Sequence, residues 1–146
     1  MNTSFLPRLA LATALSLASA NGAVAADRTP SPAGAEVYIV SPKDGAKVKG
    51  PVTVVFGLKG MGIAPAGIKF DNSGHHHLLI DTDSPTDLSL PLPADDHNVH
   101  FGKGQTETTL TLSPGKHTLQ LVLADYLHTP HVPAVISKKI TIVVEK

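Results

Sequence analysis

The chain has 146 residues, 12 Lys and Arg against 12 Asp and Glu, a formal net charge of zero, and neither cysteine nor tryptophan. That length allows one domain with a leader. The balanced charge argues against a nucleic-acid partner, and the lack of cysteine excludes a disulfide framework, a zinc ribbon, a thiolate blue-copper site and a Cys nucleophile.

The first segment, Met1 to Ala26, reads as a secretory signal peptide. Arg8 precedes an apolar run from Leu9 to Ala20, the size of a signal-peptide core, and Ala23-Val24-Ala25-Ala26 supplies small residues for cleavage. The run is shorter than the roughly 20 residues a membrane span needs. Cleavage after Ala26 is expected, with Asp27 as the new N-terminus, no membrane span in the mature chain and a periplasmic location. No twin-Arg pair precedes the run and no cysteine follows the cleavage site, so the general secretory route is expected, without a lipid anchor. Residues 27–35, DRTPSPAGA, read as a flexible linker.

Beyond it come short runs of alternating apolar residues, separated by Pro, Gly, Asp and Asn. Predicted strands are Val37–Val40, Val52–Leu58, His75–Asp81, Asp87–Leu92, Gln105–Leu112, Lys116–Asp125 and Ile136–Glu145. Pro91 assigns the fourth to a sheet edge. Tyr126–Ala134 reads as a loop. No stretch keeps a helical period. Residues 36–146 are therefore expected to form an all-β, immunoglobulin-like or fibronectin-like antiparallel β-sandwich of about seven strands. A small Greek-key barrel is the alternative.

Histidine is the odd feature: eight of them, more than the four Phe and two Tyr together. All lie between His75 and His131. In an alternating sandwich the connections before the third strand, before the fifth and after the sixth share one pole. That places His75, His76, His77, His97, His100, His128 and His131 together and leaves His117 at the other pole as a structural histidine. Parity divides the triplet. His76 sides with Leu78 and Ile80 toward the core, while His75 and His77 share the other face. Two segments repeat a theme, Ala94-Asp95-Asp96-His97-Asn98-Val99-His100 and Ala124-Asp125-Tyr126-Leu127-His128-Thr129-Pro130-His131. A His-x-x-His pair in a turn can place two imidazoles on one ion, and a neighbouring Asp can ligate or orient them.

The expected ligand pool is therefore His75, His77, His97, His100, Asp125, His128 and His131. Imidazole suits transition metals, with Cu(II) or Zn(II) expected first. The expected partners are the metal ion and another periplasmic protein. A histidine brace needs His first in the mature chain, where Asp27 stands. Met61 is the one methionine after the leader, too few for Met-rich Cu(I) carriage. Two alternatives remain: a non-catalytic envelope interaction module with a structural histidine network, and a copper–zinc dismutase-like enzyme, although that family's disulfide and zinc-loop spacing are missing. No Gly-x-Ser-x-Gly elbow supports a hydrolase.

Three blocks carry a family likeness: Gly74-His75-His76-His77-Leu78-Leu79-Ile80-Asp81, His100-Phe101-Gly102-Lys103-Gly104-Gln105-Thr106-Glu107-Thr108, and Leu121-Val122-Leu123-Ala124-Asp125-Tyr126-Leu127-His128 with Pro130-His131. With Ser41-Pro42-Lys43-Asp44-Gly45 they resemble the bacterial exported domain-of-unknown-function family number 4399. The resemblance implies a small periplasmic single-domain protein and supplies no activity.

Overall fold

Period-two alternation puts every second side chain of a strand on one face, and here those faces meet between two sheets. The computed structural model describes residues 28–146; the predicted leader lies outside the described residues. Ten strands follow one another: β1 (Glu36–Ser41), β2 (Lys47–Lys49), β3 (Val52–Lys59), β4 (Gly62–Ile63), β5 (Ser73–Ile80), β6 (Asn98–His100), β7 (Glu107–Leu110), β8 (Gly115–Ala124), β9 (Pro130–Ile136) and β10 (Ile140–Glu145). One sheet has the order β1-β3-β7 and the other β2-β10-β8-β5-β4, with β6 added on β5 and β9 on β8. Three strands facing a β10-β8-β5 sheet is the strand order of a seven-stranded sandwich without its fourth strand. No helix among the described residues is long and apolar enough to cross a membrane.

The core lies between the sheets. Val37, Val52, Val54 and Phe56 come from one side, and Leu78, Ile80, Leu119, Leu121, Leu123, Ile142 and Val144 from the other. Each such side chain contributes about 1.5–3 kcal/mol on full burial, so this layer fixes the register. A second, smaller core of Leu79, Leu92, Val122 and Ala124 lies on the outer face of the larger sheet.

That outer cluster explains one correction. Residues 87–92 form no strand. The segment between β5 and β6 is instead a loop that lays Leu92 on the sheet, where its amide donates to His128 O at 2.8 Å. A second correction concerns Tyr126–Ala134, which contains the start of β9. Pro130 is tolerated there because β9 lies at the sheet edge, and Pro133 because residues 131–134 bulge out of the ladder with β8. The predicted last strand is split: β9 and β10 line the same side of β8, and the Leu121 amide donates to Ser137 Oγ at 2.8 Å where the ladder breaks.

The expected flexible linker is ordered from Arg28 onward. Ser31 N donates to Val132 O at 2.9 Å, and Val132 N donates to Thr29 O at 3.0 Å. The backbone amides on the free edge of β9 need partners, and this segment supplies them.

At the far end of β5, His117 closes a clamp. Its Nδ1–H donates to Asp81 Oδ2 at 2.7 Å and its Nε2–H to Ser113 O at 2.8 Å. Both ring nitrogens face acceptors, so the bonds are complete only in the imidazolium. The Asp81 bond therefore raises the His117 pKa. Partial burial opposes ionisation of Asp81, yet the bonds from His117 and the Thr118 amide hold its carboxyl below the usual range. The His117 contribution is thus fully present below pH 6.5 and is lost as pH rises through the raised folded pKa. His117→Ala is expected to cost about 2 kcal/mol in urea denaturation at pH 6, with a smaller loss at pH 8.

Candidate metal centre

β5 carries His75 and His77 on its outer face, while His76, Leu78 and Ile80 turn inward. The strand register then decides the neighbours. His77 stands opposite His100 of β6 on one side and Val122 of β8 on the other, and His75 stands opposite Ala124. Small side chains on β8 leave room for the rings. A tight turn after β8 brings in His128: its amide donates to Asp125 O at 2.9 Å, and its backbone is left-handed at φ 69°. Such a conformation costs a non-glycine residue about 1–3 kcal/mol and persists only where its surroundings impose it.

The four rings form one cluster. Centroids are 4.9 Å apart for His75–His100 and for His77–His100, 4.8 Å for His100–His128, 5.1 Å for His75–His77 and His75–His128, and 6.0 Å for His77–His128. Ligand atoms of His75, His100 and His128 all lie within 4.8 Å of one another. His75 Nε2 and His77 Nε2 are 3.2 Å apart and share one N–H. Two nitrogens on one tetrahedral ion at 2.0–2.1 Å stand about 3.3 Å apart, so this pair already has the bite of a chelate.

The same rings are left unsatisfied by the protein. His75 and His77 are 0% exposed, yet Nδ1 of each, and Nε2 of His100, has no hydrogen-bond partner. A buried unpaired polar atom costs about 1–3 kcal/mol. Burial, followed by the neighbouring His100 and His128, pushes His75 down to about 4. Burial and then His75, His100 and His128 push His77 down to about 3. Burial and His128 lower His100 as well. His75, His77 and His100 are therefore neutral at pH 7, which is the state a metal ion takes.

The other candidates lie elsewhere. His97 sits at the opposite end of β5, where its Nδ1–H donates to Ile80 O at 2.8 Å. The chain from His97 to His100 runs alongside β5, so the two are separated by about 10 Å of nearly extended backbone and cannot converge on one ion. His131 is buried in β9 with its ring nitrogens 3.4 Å from Leu123 O and 3.2 Å from Ser73 O. It fits there because Gly74 has no Cβ: one would stand 3.0 Å from His131 Cε1 and collide with Ala124 O. Asp125 spends its carboxylate on the turn, accepting from Leu127 N at 2.9 Å, Thr129 N at 3.0 Å and Thr29 Oγ1 at 2.6 Å. Thus four of the eight histidines converge, where seven at one pole were expected. His76 packs against Phe56 at 5.0 Å, with Nδ1–H donating to Gln105 O at 3.3 Å.

One positioning residue escapes a search for ligands. Gly102 lies against the His100 ring, and a Cβ there would collide with His100 Cε1 and stand 2.5 Å from its Nε2. The His100-Phe101-Gly102 string carries that signal only once the chain is known to turn directly after β6. Gly102→Ala is expected to displace His100 and weaken metal binding about tenfold, the lower end of the range for losing an orienting partner. Calorimetry, with circular dichroism as the folding control, checks this.

A protein-family model described as a domain of unknown function, DUF4399, matches residues 54–145. The chain belongs to this family. The DUF4399 match holds all four clustered histidines and omits β1 and the Arg28–Ala35 segment. No curated protein matches the chain. Among solved structures, the DUF4399 chain is similar to fibronectin(III)-like modules of Clostridium thermocellum CbhA, with 12% identity and a TM-score of 0.44 over 75% of this chain and 95% of that one. It is also similar to the endo-beta-1,4-mannanase from Thermotoga petrophila, with 16% identity and a TM-score of 0.45 over 77% of this chain and 20% of that one.

Proposed function

We propose that this DUF4399 protein binds a transition metal ion through His75, His77, His100 and His128, as a periplasmic carrier, buffer or sensor. The carrying observation is the convergence of four imidazoles from three separate elements, three of them with a buried ring nitrogen that no protein group satisfies. His97, His117 and His131 instead direct ring nitrogens at carbonyls, and His76, whose Nε2 is also unpaired, lies in the core away from the cluster, so convergence carries the reading. An all-imidazole set favours Cu(II) and Zn(II) over Mg(II) and Ca(II), which take oxygen ligands.

The test is titration of the tag-free protein with Cu(II), Zn(II) and Ni(II) by calorimetry, with metal content measured on the native sample. One ion per chain with a dissociation constant below micromolar is expected. Binding no tighter than micromolar for all three ions would overturn the reading. His117→Ala should leave the affinity unchanged, because its ring lies at the other end of the sheet.

A further inference from the structure

The segment before β1 reaches the turn that carries His128. Arg28 donates from Nη2 to Pro130 O at 2.9 Å and to His131 O at 2.6 Å. Thr29 Oγ1 donates to Asp125 Oδ2 at 2.6 Å. Asp125 and Pro130 bracket the turn, so the strap grips it at both ends. One carboxylate joins the two elements. Asp125 Oδ1 holds the Leu127 and Thr129 amides inside the turn, and Oδ2 holds the strap. Pro30 bridges to Val132 and Ser31 Oγ donates to Pro133 O at 2.7 Å, which fixes the strap along β9.

We infer that Arg28–Ser31 is a latch that positions His128 for the metal, so that strap docking and metal occupancy are coupled. The inference rests on the metal-site reading. His128 sits at a positive φ, which is uncommon for any residue with a side chain and persists where the surroundings impose it. Leu92 N donates to the His128 carbonyl at 2.8 Å and Gly67 N to that of Tyr126 at 3.0 Å, and the strap fixes the two ends of the turn, whose remaining freedom would carry the imidazole away from His75 and His100. Clamping both ends removes that freedom before the ion arrives, and preorganisation of this kind lowers the ordering cost of binding. Coupling is reciprocal: whatever factor the docked strap adds to metal affinity, the bound metal must add to strap docking. Thr29 and Arg28 are therefore positioning residues that touch no ion.

Zn(II) and Cu(II) affinities of the wild type, Thr29→Val, Thr29→Ser and the Arg28→Ala/Thr29→Val double variant test this. Hydrogen exchange of the Ser31 and Thr129 amides, with and without Zn(II), is measured alongside. Thr29→Val should weaken binding about fivefold and the double variant more, while Thr29→Ser, which keeps the hydroxyl, should bind like wild type. Zn(II) should slow exchange at Ser31 in the wild type and not in the double variant. Wild-type binding with all variants within twofold, and Ser31 exchange indifferent to Zn(II), would overturn the latch and leave the metal site standing. No binding by the wild type would overturn the metal site and the latch with it.

Discussion

Replacing His75 and His77 together with leucine is expected to abolish metal binding and to stabilise the metal-free protein. Both rings are fully buried, both leave Nδ1 without a partner, and they share a single hydrogen bond with each other. Exchanging mutually paired buried polar groups for apolar ones of similar shape is close to neutral, and removing unsatisfied atoms is favourable by about 1–3 kcal/mol each. The surroundings are already apolar, since Leu79, Val122 and Ala124 line the same outer face. A gain of about 2 kcal/mol would raise the melting temperature by several degrees in a domain of this size. Metal affinity should fall by more than about 100-fold, beyond the loss seen when only an orienting partner is removed. Calorimetric melting of the metal-free forms and Zn(II) titration check both halves. A less stable double variant would mean that the imidazoles brace the fold and are not held ready for an ion.

Acidification is expected to destabilise the metal-free protein through the same two residues. In the unfolded chain a histidine titrates near 6.5, while in the folded state His75 lies at about 4 and His77 at about 3. Below pH 6.5 the unfolded chain therefore binds protons that the folded chain refuses. Stability falls by about 1.4 kcal/mol per pH unit for each such group, and the fall for each group levels off below its folded pKa. Between pH 6.5 and 4 the loss amounts to several kcal/mol, a large part of the 5–15 kcal/mol of an ordinary domain. The clamp at the other end has the opposite sign, because the raised pKa of His117 makes it stronger in mild acid. Urea midpoints at pH 7, 6 and 5 should drop steeply in the wild type and much less in the His75→Leu/His77→Leu variant. Proton competition for the metal at His75 and His77 should set in only near their folded values of about 4 and about 3. Parallel pH slopes for the two proteins would show that these imidazoles titrate normally.

Alternation along His75–Ile80 is enough to turn His75 and His77 one way and His76, Leu78 and Ile80 the other, because side chains in a strand have period two whatever the strand packs against. The same local rule marks β1, β3, β8 and β10 and so makes the all-β class legible. The family is legible too, in the histidine-bearing blocks that fall inside residues 54–145. Which histidines meet is a different kind of fact. His97 and His100 look like a pair in sequence, yet β6 runs along β5 and parts them, leaving His100 opposite His77 and His97 beside Ile80. Likewise His131 enters β9 and points into backbone carbonyls, while His128 stays in the turn. Nor does a Pro-rich lead-in announce that it will fill the free edge of β9. Local spacing sets which face a side chain takes. Pairing partners, edges left open and the loop folded over the sheet depend on contacts distant in sequence, and those are settled only when the whole sandwich closes.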